Sequence, residues 1–177
     1  MKEGLGYLMD IGVLTDYFYK YGNIIIFIIV FLEYMNMPGF PSGVIMPLAG
    51  IWSSQGNVGF ITTMVLSLLA GLCGSWALYF LGRYGGGIIL QKYTKRFPKQ
   101  KATIDQTIDR IKEKGCLGVF ASKLIPVLRT VISLPAGVLK INFTGYTIAS
   151  AAGIFLWNFV FVGAGYIFGE SVLEMFM

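Results

Sequence analysis

Residues 35–56 read MNMPGFPSGVIMPLAGIWSSQG, an apolar stretch that Pro38, Pro41 and Pro47 interrupt. Proline removes a backbone donor and clashes with the preceding helical turn, so this stretch cannot cross a membrane as one straight helix. Irregular backbone at membrane depth is tolerated only where protein covers it or where it lines a wet cavity. The stretch therefore predicts a broken segment that helps to build an interior cavity.

The surrounding sequence predicts an all-α integral membrane protein with transmembrane helices. The hydrophobic fraction is 55% and only 13% of residues are charged, whereas globular domains average about 45–50% apolar and about 25% charged. Glu33 is the only charged residue in 21–82, and there is none in 141–169. Uncharged stretches of about 18 residues or more are typical of membrane spans. Residues 57–82 and 143–169 are the two uninterrupted candidates.

The first 20 residues predict an amphipathic helix that lies on the membrane surface. Apolar side chains recur there at helical spacing. The charged residues Glu3, Asp10, Asp16 and Lys20 interrupt any continuous apolar run, so a cleavable signal peptide is not expected.

The polar stretch 88–114 predicts the orientation of the chain. Residues 83–114 contain nine Lys or Arg against three Asp or Glu, and the positive-inside rule places such a loop in the cytoplasm. Ile104, Ile108 and Ile111 at helical spacing predict that the loop is partly helical. Its basic charge can attract anionic headgroups. Nucleic-acid binding is rejected, because the loop is short, lies between spans and carries no nucleic-acid motif.

An internal duplication relates the first broken segment to a second one. The matching pairs, at offsets of 87 or 88 residues, are Pro38 with Pro126, Pro47 with Pro135, Gly50 with Gly137, Tyr79 with Tyr166 and Gly82 with Gly169. The sequence thus predicts one domain, 1–177, with repeat 1 at about 22–87 and repeat 2 at about 115–172. Broken segments in matching positions are typical of transporters, and we expect the two to face each other around a cavity.

Glu33, Lys123 and Arg129 are the ionisable side chains in or beside the broken segments. A charge within the bilayer is costly and normally faces a cavity or a partner. Six residues on a straight helix would put the two cations on roughly opposite faces, but Pro126 lies between them and a bend there could turn both toward one pocket. Two cations and one carboxylate suit a phosphate and a proton acceptor, with Arg129 gripping the phosphate bidentately.

Other interpretations of these residues stay open. Lys123 and Arg129 could extend to the cytoplasmic interface, and Glu33 could simply end its helix. Lys140 is expected at the interface, and interface anchoring or packing is expected for Trp52, Trp76 and Trp157. Packing is also expected for Cys73 and Cys116, because the sequence has neither metal-ligand spacing nor a disulfide framework. No cofactor or metal is expected.

At these residues the chain resembles the DedA family of membrane proteins, which share the VTT (SNARE-associated) domain. The matching text is Glu33 followed by PGFPSGVIMPLAG, then GLCGSWALYFLGRYGG at 71–86 and FASKLIPVLRTVISLPAGVLKINFTGYTIASAAGIFLWN at 120–158. The resemblance implies a multi-pass protein of the cytoplasmic membrane, with two re-entrant hairpins that enter from opposite sides as an inverted repeat. It also implies undecaprenyl phosphate recycling or phospholipid translocation, dependent on the proton motive force.

The resemblance puts the family's acidic position on Glu33 and its two basic positions on Lys123 and Arg129. The family often carries Pro-Gly-Glu or Pro-Gly-Asp in the first hairpin, whereas this chain has Pro41-Ser42-Gly43. Gly43 therefore replaces a carboxylate, which affects proton coupling and headgroup preference. The predicted substrate site is Glu33, Ser42, Gly43, Lys123, Pro126 and Arg129, with Glu33 proton-linked. The predicted hairpin residues are Pro38, Pro41, Pro47, Gly50, Pro135 and Gly137.

The predicted function is translocation of a phosphate-bearing lipid between the leaflets of the membrane. Undecaprenyl phosphate is favoured, since two cations against one acid favour an anionic headgroup, and phosphatidylethanolamine or another phospholipid is the alternative. A lipid phosphatase is less expected, because the chain has no histidine to serve as nucleophile, acid or metal ligand. A membrane scaffold would not need cations in its broken segments.

Overall fold

A computed structural model describes residues 22–35, 42–54, 58–96, 98, 101–126 and 128–176 of the chain. These residues are helical apart from short connections, and none of them forms a strand, which confirms the all-α class. The helices are α1 (Gly22–Tyr34), α2 (Ser42–Ser54), α3 (Phe60–Arg96), α4 (Lys101–Lys123), α5 (Leu128–Val131), α6 (Ser133–Val138) and α7 (Phe143–Phe176). The predicted amphipathic helix, Pro38 and Pro41 lie outside the described residues.

Parts of α3 and α7 are long and apolar enough to cross a membrane. Phe60–Ile88 has 29 residues and a mean hydropathy of 1.8, and Phe143–Gly169 has 27 residues and a mean hydropathy of 1.7. At 1.5 Å per residue both exceed the roughly 30 Å of a hydrocarbon core. Large apolar side chains such as Ile61 and Ile167 lie exposed on their outer faces. Both uninterrupted candidates from the sequence are therefore membrane-capable helices.

The two long helices run antiparallel. The Tyr146 hydroxyl donates to the Ser75 carbonyl oxygen at 3.2 Å, and farther along the pair the Asn158 amide donates to the Ser67 hydroxyl at 3.0 Å. Position numbers rise along α7 as they fall along α3. The link from α2 to α3 and the link from α6 to α7 therefore lie at opposite ends of the pair.

Two glycines bend the helices that carry the basic segment. Gly86 has φ 55° inside α3, and Gly115 has φ 52° inside α4. This left-handed conformation is open to glycine and strained for other residues. The bends separate the apolar part of α3 and the final turns of α4 from the polar stretch 88–114, whose described backbone is helical on both sides of residues 97–100.

Each of the short helices α2 and α6 packs on the long helix that does not directly follow it in the chain. α2 packs mainly on α7, and α6 packs mainly on α3. Gly50 of α2 lies against the backbone of Val162, and Gly137 of α6 lies against the backbone of Tyr79, so that a Cβ at either glycine would overlap a carbonyl oxygen. Because a backbone cannot shift as a side-chain tip can, both crossings require glycine.

The second broken segment is interrupted at one turn. α4 ends at Lys123 and residues 124–126 form the turn, whereas α5 and α6 meet at Ile132, whose backbone stays helical at φ −55° and ψ −29°. In the first broken segment the described part is one helix, α2, with Pro47 inside it. Residues 36–41, which include Pro38 and Pro41, lie outside the described residues, so the first hairpin stays a prediction.

Candidate functional site

Arg129 lies on the four-residue helix α5 with its side chain fully buried. Its Nη2 forms an ion pair with Glu33 Oε1 of α1, and its Nη1 donates a hydrogen bond to the Tyr34 hydroxyl at 3.0 Å. Several kcal/mol would be lost if either charge were buried alone, so each makes the other tolerable. Neither side chain extends to the surface, and the two predicted site residues meet in the interior.

Two aromatic rings contact the same guanidinium group. Arg129 Cζ lies 4.8 Å from the ring centroid of Tyr34 and 4.8 Å from that of Trp157. Cation–π contacts of this kind contribute about 2 kcal/mol when they are shielded from water. They hold the cation in place by forces that do not depend on the carboxylate. Sequence reasoning missed Tyr34 and assigned Trp157 to anchoring or packing.

Lys123 lies at the end of α4, equally buried, with a different set of partners. Its Nζ donates to Ser75 Oγ at 2.8 Å and to Ser133 Oγ at 3.2 Å. Within the described ranges Glu33 pairs with Arg129, and no carboxylate lies within ion-pair distance of Lys123. Lys123 is therefore a buried cation solvated by hydroxyl groups, an arrangement that leaves positive charge uncompensated in the interior.

Tyr34 connects the two cations. Lys123 Nζ lies 5.5 Å from the Tyr34 ring centroid, while Arg129 contacts the same ring and its hydroxyl. Gly71 and Gly74 of α3 face Tyr34, and a Cβ at Gly74 would lie too close to Tyr34 Cβ. These glycines let α1 approach α3 closely, so both cations of the second broken segment, Lys123 and Arg129, face one interior region.

Pro126, Ser42 and Gly43 are the other predicted site residues, and Lys140 is the residue predicted at the interface. Pro126 is exposed at the turn between α4 and α5, whereas the cations on either side of it are buried. Ser42 and Gly43 are the first residues of α2, and their side chains lie outside the described ones. Lys140 is exposed between α6 and α7. None of the contacts described above gives these four residues a binding role, and their roles stay predictions.

The described part of the chain has no cluster of metal-ligating side chains. No group of three or more His, Cys, Asp or Glu residues is close enough to hold an ion. Cys73 and Cys116 are free thiols and half-buried. Cys116 packs against Gly145, where a Cβ would overlap its sulfur.

Comparison with known proteins assigns a family to this geometry. The family model of the VTT domain matches residues 37–167. Undecaprenyl phosphate transporter A of Bacillus subtilis is 31% identical over 131 residues, which cover 74% of this chain and 66% of the relative. The protein of the same name from Staphylococcus aureus is 29% identical over 163 residues, covering 90% of this chain and 80% of the relative.

A third relative carries a different name. The alkaline phosphatase-like protein of Lactococcus lactis subsp. lactis is 27% identical over 139 residues, covering 76% of this chain and 65% of the relative. The chain thus spans slightly less than two thirds of the first of these relatives and of this third one. No solved structure matches the chain.

Proposed function

Because this chain belongs to the VTT domain family, we propose that it moves a phosphate-bearing lipid between the leaflets of the cytoplasmic membrane, as a multi-pass transporter and not an enzyme. The observation that carries the proposal is the pair of buried cations, Lys123 and Arg129, with Glu33 paired to only one of them. Undecaprenyl phosphate is the first choice of substrate, since two relatives bear its name.

The ion pair gives a route for exchange between carboxylate and phosphate. A phosphate that enters the site competes with Glu33 for the Nη2 side of Arg129, while Tyr34 and Trp157 keep the guanidinium in place. Charges about 4 Å apart attract by roughly 4 kcal/mol at an effective dielectric constant of 20, so the two anions compete on similar terms. Protonation of Glu33 removes its charge and favours the phosphate, which makes transport proton-linked.

Lys123 supplies the second contact to the headgroup. Its ammonium group is held by Ser75 and Ser133, two neutral hydroxyls that a phosphate oxygen can displace or join. The phosphate then gains a charge-assisted hydrogen bond without breaking an ion pair. A net positive site favours an anionic headgroup over the zwitterionic phosphatidylethanolamine, which is the alternative substrate.

The two broken segments are, in this proposal, re-entrant hairpins of an inverted repeat, 22–87 and 115–172. Support comes from the reciprocal glycine crossings, in which α2 meets α7 and α6 meets α3. The crossing glycines, Gly50 and Gly137, differ by 87 positions. On the long helices, the glycines that contact these short helices are Gly82, which faces the Leu134 carbonyl, and Gly165, which faces the Pro47 carbonyl. These two glycines differ by 83 positions.

The difference between 87 and 83 has a simple cause. α3 begins ten positions after Gly50, at Phe60, whereas α7 begins six positions after Gly137, at Phe143. The second connection is thus four residues shorter, about one helical turn. The sequence pairing of Gly82 with Gly169 is displaced by that turn, and Gly165 is the better counterpart.

Transport by the purified protein in lipid vesicles tests the proposal. Vesicles carry a labelled polyprenyl phosphate in one leaflet, and a membrane-impermeant reagent detects its arrival in the other. We expect transfer at least tenfold faster than in empty vesicles, and faster than for labelled phosphatidylethanolamine in matched vesicles. Equal rates with and without the protein would contradict lipid transport. Release of inorganic phosphate would instead assign phosphatase activity, and the third relative is named alkaline phosphatase-like.

A further inference from the structure

A second group of polar side chains is buried next to the cation site. Thr63 and Ser67 of α3 and Asn158 of α7 are all fully buried, and Ser67 and Asn158 meet between the two membrane-capable helices. The Asn158 Nδ2 donates to Ser67 Oγ at 3.0 Å, and Ser67 Oγ donates to the Met64 carbonyl oxygen at 3.1 Å. We call these three residues the hydroxyl–amide cluster.

Several polar atoms in and beside this cluster have no partner. Within the described part of the chain, Thr63 Oγ1, Asn158 Oδ1 and Trp157 Nε1 are buried and form no hydrogen bond. Buried polar groups are normally satisfied by protein or by ordered water, and each exception calls for an explanation. Three exceptions on neighbouring turns of two facing helices indicate a place where something polar binds.

The hydrogen-bond pattern defines what this ligand must supply. Ser67 has one proton, which goes to the Met64 carbonyl, so Ser67 can only accept from Asn158. The amide nitrogen of Asn158 therefore faces Ser67, and Oδ1 is left as an acceptor that needs a donor. A phosphate oxygen cannot donate, and the cluster contains no cation. Water can donate to Oδ1 and also accept from Trp157 Nε1.

The cluster and the cation site share the helices α3 and α7. Thr63, Ser67, Gly71 and Ser75 recur every four residues along α3, a rise of about 6 Å per step. Gly71 packs against the Tyr34 ring, and Ser75 holds Lys123. On α7, Trp157 contacts Arg129 and precedes Asn158 in the chain. The buried polar groups thus extend from Thr63, near the Phe60 end of the helix pair, to Trp157, which contacts Arg129. On α3 they are interrupted at Gly71, which also faces Ile154.

We propose that the hydroxyl–amide cluster holds internal water and conducts protons between the Phe60 end of the helix pair and Glu33. This inference rests on the proposed function and adds the path by which a proton arrives. A hydrated proton passes to a Glu33 carboxylate oxygen, leaving a neutral acid and a water molecule, while Arg129 keeps its charge for the phosphate.

The groups around Glu33 are consistent with this direction of transfer. Arg129 on α5 pairs with Glu33, and Tyr34 on the same helix as Glu33 accepts a hydrogen bond from that arginine. Lys123 on α4 lies over the Tyr34 ring, and Tyr146 on α7 donates to the Ser75 carbonyl oxygen. Among the described residues of α2, α3 and α6, no charged side chain is buried. Among these groups Glu33 is the one carboxylate, so it is the group that accepts a proton delivered by water.

Thr63→Val is the decisive variant for the proposal. Valine has the shape of threonine, and Thr63 Oγ1 has no protein partner to lose, so a purely structural role predicts unchanged or higher thermal stability. If the cluster holds water, the transport rate of Thr63→Val should change at least tenfold more slowly than that of the unmutated protein after a pH step on the Phe60 side. Leu69→Val, on the lipid-facing side of the same helix, should leave both the response and the stability unchanged.

Asn158→Leu provides the second functional measurement. We expect it to weaken the response to the pH step as strongly as Thr63→Val does, whereas steps on the Arg83 side should have equal effects in all variants. If transport fell only in proportion to thermal stability, with Asn158→Leu impaired and Thr63→Val unaffected, the cluster would be a helix–helix contact and the proposal would be overturned.

X-ray radiolysis detects internal water without any transport assay. Hydroxyl radicals formed from bound water oxidise nearby side chains, so we expect Trp157 to be labelled at least threefold faster in the unmutated protein than in Asn158→Leu. Met46, buried in the apolar core, should react equally in both. Equal labelling of Trp157 would refute the water site. Labelling as expected, without lipid transport in vesicles, would instead contradict only the proposed function.

Discussion

Substitutions of Arg129 and Glu33, alone and together, distinguish what their ion pair contributes to the stability of the protein from what Arg129 contributes to transport. Arg129→Ala leaves Glu33 buried without its cation, and removing one partner of a buried pair costs about 3–5 kcal/mol. The double variant Glu33→Gln/Arg129→Ala buries no charge at this place, so we expect it to recover at least about 2 kcal/mol of that loss. Glu33→Gln alone leaves an uncompensated guanidinium, still in contact with Tyr34 and Trp157, and should be intermediate.

Transport should respond differently from stability in the same four proteins. A hydrogen bond to a charged group contributes about 1.5–3 kcal/mol, so loss of a bidentate contact to phosphate corresponds to a fall of at least about a hundredfold. The double variant should therefore be stable and inactive. Lys123 alone cannot replace the bidentate contact, because an ammonium group is a single point charge.

Thermal unfolding in detergent and lipid transfer in vesicles measure the two effects side by side. If the double variant were as unstable as Arg129→Ala, the ion pair would not be the source of the lost stability. If it transported lipid at the unmutated rate, Arg129 would have no part in phosphate binding, and the buried pair would be structural.

Three further predictions follow from the contacts of single residues. Arg129→Lys should retain partial transport, between the rates of the unmutated protein and Arg129→Ala, since one ammonium group reproduces the charge but not the planar pair of donors; a full rate would contradict bidentate binding. Gly137→Ala should destabilise the protein by about 1–3 kcal/mol, because the new Cβ meets the Tyr79 carbonyl oxygen, whereas Gly87→Ala, with nothing within 4 Å, should be neutral or stabilising in thermal unfolding. Lys140 has φ 52°, so Lys140→Gly should raise stability by up to about 1 kcal/mol and Lys140→Val should lower it; the reverse order would show that no backbone strain is relieved.

Charge and proline made part of this site predictable from the sequence. A lone carboxylate and two cations in an apolar chain must find partners, and this requirement alone points to Glu33, Lys123 and Arg129. The structure pairs the first with the third and gives Lys123 hydroxyl partners instead. That difference depends on how far each helix extends past the turn at Pro126, which residue spacing does not determine.

The neutral residues around the cations were not predictable in the same way. Serine and threonine occur throughout apolar helices, because their hydroxyls can bond the preceding turn of the same helix, so Ser75, Ser133 and Ser67 carry no distinctive signal. Trp157 was assigned to anchoring or packing because tryptophan is common at membrane interfaces. A useful signal existed for Tyr34, which directly follows the only carboxylate of its segment.

The crosswise glycine crossings have a mechanical consequence. α2 packs on α7, and α6 on α3, through close contacts of backbone on glycine, so we expect each pair to move as one rigid body. The chain ties these two bodies together twice, once at each end of the antiparallel pair. Under the proposed function, we expect the bodies to part at one membrane face about the link at the other face, with the links exchanging roles when the motion reverses. The connectivity of the chain would then open the buried cations to one leaflet at a time.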